Sequence, residues 1–136
     1  MFELHHQLSA DTTTVAQNAS SVLLLVNDAR YPWLILVPKT AEATEIYHLS
    51  EHDQAAFSRT SIELGRELMN LFGGDKLNVA ALGNQVPQLH VHHIVRYKSD
   101  AAWPNPIWGL GASIEYTKSA LEERLQLLRS GLSFCQ

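Results

Sequence analysis

The chain has 136 residues, which suits one domain with its own hydrophobic core and is short for two. Hydrophobic residues make up 46% of it and charged residues 18%, a composition that excludes collagen-like and disordered chains. The formal net charge of −4 argues against a protein that coats nucleic acid, because a phosphate backbone requires clustered Lys and Arg. We expect a single domain over residues 1–136 with no nucleic-acid partner.

The single cysteine, Cys135, excludes an internal disulfide and a cysteine-based zinc site. The N-terminal segment Met1–Ala10 is polar and contains two histidines, unlike a signal peptide. No apolar run approaches the ~20 residues that span a bilayer. These features predict a cytoplasmic protein without a membrane partner.

Two apolar runs in the first third of the chain, Val22–Val26 and Trp33–Val37, predict strands that are buried on both faces. The polar link between them, residues 27–32, ends in Pro32 and has the composition of a turn. Parallel strands need a crossover of about a dozen residues or more, and this link is shorter, so we expect an antiparallel hairpin.

A long helix is predicted over Glu51–Phe72, where apolar residues recur at helical spacing. Ser50 precedes it as an N-cap, with Asp53 as the acidic partner of a capping box. Gly73 follows the last apolar residue and provides a left-handed C-cap.

The second half of the chain predicts two more strands, Lys76–Leu82 and Leu89–Tyr97, and a final helix over Lys118–Ser130 that Thr117 caps. The proline- and glycine-containing segment between them, Tyr97–Ser113, is expected to be irregular. The order of strands and helices predicts an α+β fold: a mainly antiparallel sheet, one long central helix and a C-terminal helix.

The residues that can perform chemistry lie on the fourth predicted strand. Because side chains alternate along a strand, Gln88, His90, His92 and Arg96 share one face, while the apolar residues between them face the core. Two imidazoles about 7 Å apart on one face define a candidate site.

Three interpretations of these imidazoles are open from the residues alone. They are solvated surface residues, two ligands of a zinc ion, or a nucleophile that attacks phosphorus together with its supporting group. A zinc site lacks an evident third ligand, since the candidates are the distant His5, His6 and His48. Nucleophilic catalysis needs donors that hold the phosphoryl oxygens, a role that Asn84 and Gln88 can fill beside the second imidazole.

The segment Gly83–Arg96 resembles the signature of the histidine-triad (HIT) family of nucleotide hydrolases and transferases. The family pattern is His-φ-His-φ-His-φ-φ, where φ is apolar, preceded by Gly-Gln-x-Val-x. In this register the three triad positions are Gln88, His90 and His92. The resemblance implies that the middle residue, His90, is the nucleophile.

The resemblance extends upstream, where Leu25–Asp28 and Trp33–Lys39 are similar to a family strand with its ribose-binding residue and to the strand that follows. It implies that Asn27 and Asp28 hydrogen-bond ribose hydroxyls, although both are also ordinary turn residues. Asn78, on the third predicted strand, is a further candidate for the same pocket.

Four positions depart from the family pattern. Gln88 replaces the first triad histidine and cannot be protonated, Asn84 replaces a longer glutamine, and Trp33 lies where many members have histidine. His93 stands at an apolar position, where we expect a buried ring bonded to a backbone carbonyl. These departures indicate a divergent branch of the family.

Outside the motif, Trp103–Trp108 contains two of the three tryptophans. We expect this loop to plug the sheet, with a cover for the site or a dimer contact as alternatives. His5, His6, His48 and His52 are expected on the surface.

The sequence predicts a HIT-like domain that binds a nucleoside phosphate as its small-molecule partner. It would cleave a phosphoanhydride or phosphoramidate bond, for example in a diadenosine polyphosphate, through a covalent nucleotidyl-His90. His92, Asn84 and Gln88 would hold the phosphoryl group, with no metal and no cofactor, and the resemblance implies a homodimer. The alternatives are a catalytically silent nucleotide-binding module, because Gln88 breaks the triad, and a metal-dependent hydrolase.

Overall fold

The computed structural model describes all residues, 1–136. It contains five strands and three α-helices, with single turns of 3-10 helix at Ile46–His48 and Ser133–Cys135. In chain order the elements are α1 (His6–Asp11), β1 (Thr12–Gln17), β2 (Ser21–Val26), β3 (Trp33–Pro38), α2 (Glu51–Phe72), β4 (Lys76–Ala80), β5 (Val91–Arg96) and α3 (Lys118–Gly131).

The five strands form one antiparallel sheet in the order β1-β2-β3-β5-β4. This architecture confirms the predicted α+β class and the β2–β3 hairpin. All six residues of β2 are buried, as a strand covered on both faces requires. In the β3–β5 register, Ile35 pairs with His92 and Trp33 with Ile94, which brings Trp33 beside the candidate imidazoles.

The long helix α2 has the predicted bounds because both of its caps form. The Ser50 hydroxyl accepts a hydrogen bond from the Asp53 N–H, and Gly73 adopts φ 59°, a left-handed conformation that costs glycine little. No helix in the chain combines the length and the apolarity that crossing a bilayer requires.

The sheet separates a large core from two smaller ones. On one face, a cluster of 15 buried residues that includes Leu64 and Leu68 of α2 joins the sheet to the helices. On the other face, leucine, isoleucine and valine side chains of β2 and β3 pack with Leu8 of α1. Beside them, Ile107 and Ala102 pack with Ile94, so Ile107 of the tryptophan-rich loop contacts the sheet as a plug would.

The predictions missed α1 and β1. The strand begins with three threonines and buries only Val15, so its sequence lacks a clear apolar alternation. Two other strands are shorter than predicted: β4 ends at Ala80, and β5 begins at Val91. Leu89 lies outside the sheet ladder because its N–H bonds to the carbonyl oxygen of Ala43.

Candidate active site

His90 is the candidate nucleophile and lies just before β5, with 7% of its surface exposed. Its Nδ1 is 2.6 Å from the carbonyl oxygen of Gln88. Because a carbonyl only accepts hydrogen bonds, Nδ1 carries the proton in this pair. The lone pair of the neutral ring is therefore on Nε2, the nitrogen that remains available for attack.

His92 has the opposite tautomer. The indole Nε1–H of Trp33 donates a hydrogen bond of 3.0 Å to Nδ1 of His92, and an indole nitrogen cannot accept one in return. The proton of the neutral ring is therefore on Nε2. Burial, followed by the charges of His90 and His93, lowers the pKa of His92 to about 4, so this residue is a neutral N–H donor at pH 7.

The two imidazoles line one cavity of about 730 Å³. Their ring centroids are 5.0 Å apart, and Trp108 packs edge-on against His92 with a centroid distance of 5.1 Å. Asn84 belongs to the same lining, in a turn where Gly83 has φ 77°. No Lys or Arg lines the cavity, so amides and imidazoles supply most of its hydrogen-bond donors.

Gln88 has other partners than the expected phosphate group. Its Oε1 accepts the N–H of His5 and its Nε2 donates to the carbonyl oxygen of Glu3, both at 2.8 Å. Its side chain is not part of the lining of this cavity. The structure thus brings Asn84, His90 and His92 together and directs the Gln88 amide to the N-terminal segment.

The three expected substrate-binding residues also lie outside the cavity lining. The Oδ1 of Asn27 accepts the N–H of Tyr116, and the Oδ1 of Asn78 accepts from the Arg96 guanidinium. Asp28 is 1% exposed and is paired with Arg30 at 2.8 Å. These contacts give each of the three a structural partner within the chain.

The pKa of the Asp28 carboxyl reflects this environment. Burial would raise the pKa, but hydrogen bonds from Arg30 and from the N–H of Ile114 outweigh burial and lower it below its usual value. Asp28 is therefore held as a buried carboxylate that joins the β2–β3 turn to the segment before α3.

His93 points away from the cavity, as expected for the core face of β5. It is fully buried, its Nδ1 is 3.1 Å from the carbonyl oxygen of Val91, and its Nε2 is 2.7 Å from the Ser61 hydroxyl of α2. The expected bond to a backbone carbonyl is thus present. Burial lowers the pKa of His93 to about 4, against an opposing effect of the carbonyl.

Sequence reasoning did not place His5 and His6 at the cavity, and it placed Trp108 over the site only as an alternative to the plugging role of its loop. His6 is exposed, as expected, and His5 is half-buried; their rings stack at the cavity with centroids 4.3 Å apart. The alternation of Phe2 and Leu4 with polar residues is the one sequence feature that pointed to an ordered segment there.

No group of three His, Cys, Asp or Glu side chains is arranged to hold a metal ion.

The HIT domain family matches residues 7–99 of the chain. A histidine triad protein from Marinobacter aquaeolei VT8 is 45% identical, with 100% of this chain and 99% of that chain covered and a TM-score of 0.96. A histidine triad protein from Bradyrhizobium japonicum is 40% identical, with 96% and 98% covered and a TM-score of 0.93. No match was found among curated proteins.

A third solved structure, a histidine triad (HIT) protein from Sinorhizobium meliloti 1021, is 34% identical, with 96% of this chain and 97% of that chain covered and a TM-score of 0.92. The family match extends over more than half of the chain. The chain therefore belongs to the HIT domain family, and the resemblance inferred from Gly83–Arg96 is confirmed.

Trp33→Phe tests the origin of the His92 tautomer. The variant removes the Nε1–H that occupies Nδ1 of His92, so the pKa of His92 should rise above about 4 and its Nδ1-protonated form should become populated. Histidine ¹⁵N chemical shifts followed through a pH titration measure both changes. Trp103→Phe, which alters a ring that stacks on Arg96, is the control. Unchanged His92 shifts in Trp33→Phe would contradict the assignment.

The buried histidines should also make stability depend on pH. The pKa of His93 is about 4 in the folded chain and about 6.5 when unfolded, so the unfolded state binds more protons between these values. The contribution of His93 to the free energy of unfolding is fully present above pH 6.5 and is lost as the pH drops towards 4. The loss is at most about 1.4 kcal/mol per pH unit for each such group. Urea unfolding at pH 7 and pH 5 should show a smaller fall for His93→Gln. His52→Gln, on an exposed position of α2, should behave as wild type; an equal fall in all three proteins would disprove this account.

Proposed function

We propose that this HIT-family chain is a nucleotide hydrolase or transferase that cleaves a phosphoanhydride or phosphoramidate bond through a covalent nucleotidyl-His90. The observation that supports this most directly is the 2.6 Å contact between Nδ1 of His90 and the Gln88 carbonyl oxygen. It leaves the Nε2 lone pair of a cavity-lining ring free to attack. Dinucleoside polyphosphates and nucleoside phosphoramidates are the substrate classes that contain such bonds.

In the proposed first step, the Nε2 lone pair forms a bond to phosphorus, and the bond from phosphorus to the leaving oxygen or nitrogen breaks with its electron pair. A leaving oxygen departs as part of a phosphate anion, and a leaving nitrogen takes up a proton from water as it departs. The ring then carries a positive charge, which the Gln88 carbonyl stabilises through the Nδ1–H hydrogen bond. In the second step, water attacks phosphorus and gives up a proton to solvent, and Nε2 recovers the electron pair of the N–P bond.

Two groups of the cavity suit the developing phosphoryl charge. His92 presents an Nε2–H whose position Trp33 fixes, and Asn84 offers an amide in the turn before His90. A donor that is already oriented, as His92 is, stabilises a transition state without reorganising during the reaction. We assign both residues to binding phosphoryl oxygens.

His90→Asn tests the covalent step. We expect wild-type protein, incubated with a panel of dinucleoside polyphosphates and nucleoside phosphoramidates, to form a nucleotidyl adduct that mass spectrometry locates on His90. His90→Asn should lose the adduct and turnover but still bind nucleotide, because only the nucleophile is removed. His52→Asn on the surface of α2 is the matched control.

Two results would point to other functions. Nucleotide binding by wild type without turnover or an adduct would indicate a catalytically silent binding module. Turnover that a chelator abolishes and zinc restores would indicate a metal-dependent hydrolase.

We also propose that the chain forms a homodimer through the β4 edge of the sheet. β4 pairs only with β5, and Val79 on it is 50% exposed, as Leu82 just beyond it is 49% exposed. An edge strand with exposed apolar residues is suited to pairing with another chain. Light scattering during size exclusion should give a dimer for wild type and a monomer for Val79→Lys. A monomeric wild type would disprove the proposal.

A further inference from the structure

Gln88 connects the segment before His90 to the start of the chain. We call Phe2–Gln7 the N-terminal strap. The terminal amide of Gln88 accepts the N–H of His5 and donates to the carbonyl oxygen of Glu3, so one side chain satisfies two backbone groups of the strap. An amide suits this task because it has an acceptor and a donor at the same end. A single imidazole cannot place both groups in that arrangement.

The strap forms one wall of the catalytic cavity. Phe2 and Leu4 pack against the small core on the cavity side of the sheet, which anchors the strap apart from Gln88. His5 and His6 line the same cavity as His90, with their rings stacked. The Nδ1 of His5 accepts the N–H of Gln7, so a neutral His5 ring keeps its proton on Nε2.

The lining has no Lys or Arg to bind an anion, and its one carboxylate, Asp11, accepts a hydrogen bond from the Gln7 side chain at 2.9 Å. A nucleotide with several phosphate groups must therefore be bound mainly by N–H donors of amides and imidazoles. Within the lining, His90 and His92 are committed to the reacting phosphoryl group in the proposed mechanism. His5 and His6 are the remaining imidazoles of the cavity.

We propose that Gln88 is a positioning residue that latches the strap over the cavity, so that His5 and His6 bind phosphate oxygens of the nucleotide. This inference rests on the proposed nucleotide substrate but not on the covalent step. Gln88 then contributes to substrate binding through the strap, without contact with the substrate. This role explains why a residue that cannot titrate can occupy the first triad position.

The test combines hydrogen exchange with nucleotide binding. Gln88→Ala removes both hydrogen bonds of the latch and should raise the exchange rate of the His5 amide by about tenfold or more, as expected for the loss of a hydrogen bond worth about 1.4 kcal/mol. Binding of diadenosine tetraphosphate, followed by the fluorescence of Trp33 and Trp108 in the cavity, should weaken by about tenfold.

The double variant His5→Asn/His6→Gln removes the imidazoles and keeps an acceptor that can cap α1. It should weaken nucleotide binding to a similar extent, and adding Gln88→Ala to it should cause little further loss. Such non-additivity is expected when two changes act on one interaction. Gln126→Ala, an exposed glutamine of α3, is the matched control for the exchange and binding measurements.

Three results would overturn the inference: unchanged exchange of the His5 amide in Gln88→Ala, unchanged nucleotide binding in His5→Asn/His6→Gln, or losses that multiply when the variants are combined. The last would show that Gln88 contacts the nucleotide itself. A failure of the proposed reaction is separate, since it appears as a missing adduct on His90 while exchange and binding keep the expected pattern.

Discussion

The hydrogen bond between Nδ1 of His90 and the carbonyl oxygen of Gln88 is the constraint on which the site depends. It works only if that carbonyl is held still. The position of the Gln88 carbonyl is held by contacts of the adjoining groups. The Leu89 N–H donates to the Ala43 carbonyl oxygen, and the Gln88 side chain forms hydrogen bonds with the N-terminal strap. The orientation of the candidate nucleophile is therefore set by hydrogen bonds to residues distant in the sequence, because residues 88–90 lie outside the sheet.

Three neighbouring histidines differ in chemistry because each has a different partner. A carbonyl places the proton of His90 on Nδ1, an indole places that of His92 on Nε2, and a carbonyl with the Ser61 hydroxyl fixes His93 in the core. Strand alternation separates His92 from His93, so one faces the cavity and the other faces α2. Similar side chains thus provide the candidate nucleophile, a neutral donor and a core residue.

The parts of this fold that could be predicted are those whose determinants are local in sequence. The bounds of α2 follow from Ser50 and Gly73, and the β2–β3 hairpin follows from its apolar runs and short link. His90 could be singled out by the spacing of its motif. The partners of Gln88 could not, because they lie 83 and 85 positions away, and no local pattern specifies such a pairing. The same holds for Asn27, whose Oδ1 binds the backbone of Tyr116.

Two side chains that orient imidazoles, those of Gln88 and Trp33, act together with the strap. Neither the Gln88 amide nor the Trp33 indole titrates, so neither side chain adds a charge to the site. The cavity nevertheless contains four imidazoles, because His5 and His6 enter it from the N-terminal segment. Trp33 fixes His92 as a donor, and Gln88 fixes the strap that supplies the other pair. Each of these two side chains thus orients an imidazole or the segment that carries imidazoles, so the polar character of the cavity depends on groups that do not titrate themselves.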